Sequence, residues 1–143
     1  MLLVVDSNVM FSALIGKGNS FKVFELNNNL NKFEFIIPEF LFLEIGKEMD
    51  RILSYTKLSK EELSLTFTFI KKQLTAIPSS DFIDKLPEAI ELNFKDSPYL
   101  ALALKSNCGI FSGDKVLKEK QNKVKVFSPR ELLDILENKL EEK

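Results

Sequence analysis

The chain has 143 residues, 45% hydrophobic and 29% charged, with formal net charge −1, one cysteine and no histidine. That is enough chain for one core, with 1–143 read as a single domain, and no apolar run is long enough to span a bilayer, so no membrane partner is expected. Missing histidines exclude Ser-His-Asp and Cys-His catalysis and most zinc sites, the lone Cys108 excludes an internal disulfide, and the near-neutral charge argues against a generic polyanion binder.

The elements alternate along the chain. Met1 to Val5 is a continuous apolar run, as in a strand buried on both faces. It is not preceded by a basic stretch, so it does not read as a signal peptide, and the expected compartment is the cytoplasm. Val9 to Leu14 reads as a short helix, "GKGNS" as a turn, and Ser20 as the cap of a helix to about Leu26. "NNNLN" reads as a loop. "FEFIIP" is a second strand, and Pro38 suits the first turn of a helix running to about Ser54. Ser59 and Glu62 have capping-box spacing for a helix to about Gln73. The two helices between strands two and three are long for a crossover and predict a helical arm. "TAIP" is a third strand, Ser80 to Leu92 is helical with a break at Pro87, and Asp96 starts a helix to about Ser106. "CGIFSG" is the fourth strand and its turn, Asp114 opens a short helix, "VKVFS" is the fifth strand, and Ser128-Pro129 starts the last helix. The tail "ENKLEEK" reads as a solvated helix end. Five short strands separated mostly by helices predict a parallel sheet covered on both faces.

Four carboxylates stand out. Asp6 ends the first strand and is followed by Ser7 and Asn8. Asp114 repeats the pattern after the fourth strand, in "GIFSGDKVL". In a doubly wound sheet these strand ends are neighbours at the switch point, and two carboxylates there repel unless a positive charge lies between them. Asp96, in "KDSPYLALAL", precedes a helix that is apolar nearly all round. Capping a helix is the ordinary use of an aspartate there, but a carboxylate has two oxygens, so capping and metal binding are compatible. Glu44 borders the apolar stripe Leu41, Ile45, Met49 and Ile52, with Glu48 one turn on as the reserve candidate. Lys115 and Lys118 follow Asp114 and are candidates for phosphate contact. The Phe-rich segments read as core.

Several carboxylates with no histidine or cysteine partner favour Mg²⁺ or Mn²⁺. Such ions polarise phosphoryl oxygens and activate water, which suits phosphodiester hydrolysis. Ser7, Asn8 and Ser112 are placed to orient the carboxylates or their waters. The residue two after Asp6 is Asn8, which cannot act as the acid/base of a haloacid dehalogenase-type phosphatase.

These segments resemble the PIN domain family, the compact metal-dependent ribonuclease fold that also supplies VapC-like toxins of toxin–antitoxin pairs. "VVDSNVMFSAL" resembles the opening strand, "IPEFLFLEI" the second segment, "KDSPYLALAL" the third and "FSGDKVL" the fourth, which puts Asp6, Glu44, Asp96 and Asp114 at the acidic positions. Many relatives carry a further Asp where this chain has Asn93. The resemblance implies an α/β/α sandwich with a five-stranded parallel sheet in order 3-2-1-4-5. It further implies an Mg²⁺- or Mn²⁺-dependent endoribonuclease acting on RNA, a homodimer, and an antitoxin protein as partner. The alternative reading is a catalytically weak or inactive module of the same fold that binds nucleic acid or protein.

Overall fold

In the first strand, β1 (Leu2–Val5), Leu3, Val4 and Val5 have no exposed surface, as an uninterrupted apolar run demands of a strand covered on both sides. The structure is a computed structural model that describes residues 1–16 and 18–138. Lys17 of the expected turn, and all of the expected helix tail beyond Asn138, lie outside the described residues. The elements that follow are α1 (Ser7–Ile15), α2 (Asn19–Leu30), β2 (Glu34–Pro38), α3 (Phe40–Tyr55), α4 (Lys60–Lys71) and β3 (Leu74–Ile77). After two 3₁₀ turns come α5 (Leu86–Leu92), α6 (Ser97–Ser106), β4 (Gly109–Phe111), α7 (Lys115–Lys120), β5 (Val126–Phe127) and α8 (Pro129–Glu137).

All strand pairs are parallel, in the order β3-β2-β1-β4-β5. The chain steps outward from β1 to β3, then crosses to the far side of β1 for β4 and β5. Right-handed crossovers therefore put α2 and α6 on opposite faces. On one face Phe24 of α2 packs against Phe35 and Phe111, with ring centroids 5.1 and 5.9 Å away. On the other, Leu100, Ala101, Leu102 and Ala103 of α6 are buried, and the two alanines let its backbone lie close to β1, β2 and β4.

Three local expectations are corrected. The "NNNLN" segment is mostly helix: α2 runs on to Leu30 and ends where Asn31 takes a left-handed conformation, φ 50°. It persists because Asn27 is buried and its amide is fully engaged. Its oxygen accepts from the backbone N–H groups of Lys32 and Phe33, and its Nδ2 donates to Phe33 O and to Gln73 Oε1. Ser20 does not cap α2; it lies inside the helix, buried, with Gly18 at the N-cap. Pro38 is the last residue of β2 and lies outside the next helix, whose N-cap is Glu39. The Ser59–Glu62 capping box forms, with bonds of 3.2 and 2.9 Å, and Ser128–Glu131 makes a second one at the start of α8.

Candidate metal centre

The register of the central strands creates the site. Val5 of β1 pairs with Phe111 of β4, so the next residues, Asp6 and Ser112, emerge side by side at the carboxyl ends of the strands. The chains are held there by Asp6 N donating to Phe111 O and Ser112 N to Phe127 O, both at 3.0 Å. Ser112 Oγ donates to Asp6 Oδ2 at 2.6 Å and accepts from the backbone N–H of Asp114 at 3.0 Å. One buried hydroxyl thus fixes the first acid and the loop carrying the last. Ser7 Oγ donates to Asp6 Oδ1 at 3.3 Å, and Asn8 Oδ1 accepts from Gly113 N at 3.4 Å, a second tie between the same two loops.

The three aspartates all stand at helix N-caps, but only one caps. Asp114 Oδ1 accepts from Val116 N and Leu117 N at the start of α7. Asp6 makes no side-chain cap bond to α1 and Asp96 none to α6. Asp96 is buried, and its Oδ2 has no hydrogen-bond partner at all. Such an orphaned oxygen carries a desolvation penalty that a native fold normally avoids. Asn93, at the place of the relatives' extra acid, instead accepts from Asp96 N through Oδ1 at 3.4 Å and so steadies the turn before α6.

Electrostatics report the clustering. Burial raises the Asp96 carboxyl from 3.8 to about 6, and the charges of Asp6 and Asp114 push it the same way, while Lys95 opposes. Burial also raises Asp6, with the Ser112 hydroxyl the largest influence against it. Repelling carboxylates around an unmatched oxygen suit a hard cation. Among the described residues, no three acidic, histidine or cysteine side chains are gathered tightly enough to hold an ion as they stand. Mg²⁺ does not require such a cage, because it keeps several waters and binds through one or two carboxylates plus substrate phosphates. The donor set therefore fits such an ion.

Glu44 lies on α3, half-buried, with Glu48 one turn on, and both line a cleft with Asn8, Phe11 and Arg51. Glu48 Oε2 accepts from Arg51 at 3.2 Å, which leaves Glu44 as the uncommitted carboxylate of the two. Lys115 is exposed beside Asp114, whereas Lys118 is paired with Glu131 of the second capping box. A surface cavity lies at the other ends of the strands, near Leu3, Cys108 and Gly109; its carboxylate, Glu88, is paired with Lys123 at 3.0 Å.

Sequence reasoning missed Tyr99. It is buried on the first turn of α6, and its ring lies 6.0 Å from that of Phe40. Burial pushes its hydroxyl well above the usual phenol range, a hydrogen bond with Ser7 opposes, and the charges of Asp6, Glu44 and Asp96 add to the rise. Tyr99 is thus the residue through which Glu44 of α3 and the two inner aspartates share one neighbourhood. The signal was its place three residues after Asp96, on the helix face that carries the acid.

A family model described as PIN domain matches residues 4–139. A chain in the crystal structure of VapBC2 from Rickettsia felis, bound to a DNA fragment from their promoter, is similar in fold. The TM-score is 0.63 at 14% sequence identity, over 90% of this chain and 98% of that chain. No curated protein matches by sequence.

Proposed function

This chain belongs to the PIN domain family, and from that premise we propose that it is a metal-dependent endoribonuclease. The observation that carries the reading is buried Asp96, which has an unpartnered Oδ2 and feels the charges of Asp6 and Asp114. Asp6, Asp96 and Asp114, with Glu44 across the cleft, would hold Mg²⁺ or Mn²⁺. When bound, the ion supplies Lewis-acid polarisation of a phosphoryl oxygen and a water of lowered pKa. The chain's own residues hold that chemistry in place. Ser112 orients Asp6, Ser7 links Asp6 to Tyr99, Asn8 ties the two loops, and Asp114 keeps one oxygen on α7 and has the other to offer. Lys115, without an ion-pair partner among the described residues, is placed for a phosphate; Lys118 must leave Glu131 to take that part.

The likeness to the VapBC2 structure supports reading the chain as a VapC-like toxin of a toxin–antitoxin pair with an antitoxin protein as partner; that it acts in the cytoplasm as a homodimer is part of the same proposal and rests on the family resemblance alone. No helix among the described residues is long and apolar enough to cross a membrane. One observation favours a second reading, a binding module of weak activity: the acids are not gathered into a ready ligand set.

The test is cleavage of a mixed RNA pool with Mg²⁺ or Mn²⁺, comparing wild type with Asp6→Asn and Asp96→Asn, which remove charge at nearly constant shape. Cleavage that needs metal and falls about 1000-fold in both folded variants, the loss of several kcal/mol of metal-borne stabilisation, supports the nuclease. Equal cleavage by all three defeats the site. Metal binding without turnover on any RNA favours the binding module.

A further inference from the structure

Phe94 is 76% exposed, the most exposed of the chain's large apolar side chains among the described residues. It stands apart from the ring cluster of Phe24, Phe35 and Phe111, which is buried. It sits two residues before Asp96, in the turn where Ser97 N donates to Phe94 O at 3.3 Å, so the segment that carries the acid also carries the ring. Phe40, 38% exposed, is the second ring. It opens α3 one turn before Glu44, on the same helix face, and its ring meets that of Tyr99, which lies among the acids. Between Phe94 and Asp96 lies Lys95, exposed and without an ion-pair partner among the described residues. Exposed aromatic rings with an exposed cation next to one of them, beside a centre suited to phosphate chemistry, match the way single strands are held: bases on rings, phosphates on cations.

We propose that Phe94 and Phe40 form a stacking platform that seats the bases of a single-stranded RNA on either rim of the carboxylate site, with Lys95 on the adjoining phosphate. The proposal rests on the nuclease reading for its choice of ligand. Duplex RNA keeps its base faces stacked and offers nothing to these rings, so the platform selects unpaired segments.

The chain has no tryptophan, so Phe94→Trp creates a unique fluorophore at the site. The probe is an eight-nucleotide oligoadenylate RNA, compared with an abasic strand of the same length and with a duplex, in Mg²⁺, on an Asp96→Asn background that isolates binding from cleavage. The expected result is quenching by the oligoadenylate, little change with the abasic strand or the duplex, and, by anisotropy of a fluorescein-labelled oligoadenylate, about tenfold weaker binding on Phe94→Ala or Phe40→Ala than on the parent with both rings, the low end of what one stacked base contributes. The folded state of each variant is checked by circular dichroism. Equal response to the abasic strand overturns the proposal. So does an emission change that follows protein concentration alone, which would make this face a contact between copies of the chain. Cleavage assayed in parallel with Asp96 intact separates the two claims: quenching without cleavage leaves the platform standing and removes the nuclease, whereas cleavage without quenching does the reverse.

Discussion

Two buried polar clusters in this molecule obey opposite rules. Around Asn27, every amide hydrogen-bonding capacity is met, and Gln73 continues the network by donating from Nε2 to Phe24 O at 2.8 Å. At the other ends of the strands, Asp96 keeps an oxygen with no partner, and both it and Asp6 are pushed towards protonation by burial. The first cluster is neutral and closes the junction between α2, β2 and the start of β3. The second holds like charges together and leaves capacity open. A buried polar group that is fully matched serves the fold; one left unmatched marks where a ligand completes the structure.

That contrast can be broken most forcefully at Asn27. Asn27→Ala removes the partner of both the N–H and the C=O of buried Phe33 and should cost about 4 kcal/mol in urea unfolding. RNA cleavage per folded molecule should stay unchanged; a mild loss would mean the junction is wet and the contrast false. The acid cluster should respond to cation where the amide cluster does not. Mg²⁺ or Mn²⁺ at 100 times its Kd should stabilise wild type by roughly 2.7 kcal/mol in thermal unfolding, and Asp96→Asn by far less. Equal shifts in the two proteins would place the ion elsewhere.

The pH dependence comes next. A carboxyl raised on folding binds more protons in the native than in the unfolded chain between its two pKa values, so stability falls as pH rises through that window. For Asp96 the window runs from 3.8 to about 6. The metal-free protein should therefore lose about 2 kcal/mol across it, and Asp96→Asn should flatten much of the slope and be the more stable protein at pH 7. A wild-type slope that rises there would contradict a carboxyl raised by burial and by the charges of Asp6 and Asp114. The smallest effect belongs to the rim: Lys118→Ala breaks an exposed pair with Glu131 and should change stability by under about 1 kcal/mol.

Much of this was legible in the sequence, for physical reasons. The strands are short apolar runs whose burial on both faces leaves no competing pattern, and β1 beside β4 follows from the doubly wound order. Ser59 and Ser128 stand at caps that local chemistry alone decides, and Ser59 was foreseen as the head of a capping box. Asn27 to Asn29 misled because three asparagines favour a loop, while the partner that stabilises the helix, Gln73, is 46 residues away. Ser20 misled in the same way, since packing decided which residue entered the helix. The acids were visible as candidates, but their capping state was not: Asp6, Asp96 and Asp114 share one local pattern, and only the third turns its oxygen onto its helix. Tyr99 and Phe94 were hidden by composition, because in a chain with 13 phenylalanines an aromatic residue reads as core.

The bond between Ser112 and Asp6 joins residues 106 positions apart. During synthesis Asp6 leaves the ribosome long before the residues that complete its surroundings, and β1 must wait for β4 to be made before the two strand ends meet. Non-local pairing of this kind comes late, because the intervening loop must first be closed. A nascent chain that stops before residue 112 therefore carries the first acid without its clamp and without the last acid. If the chain cuts RNA as proposed, its site stays incomplete on the ribosome until residue 112 has been translated.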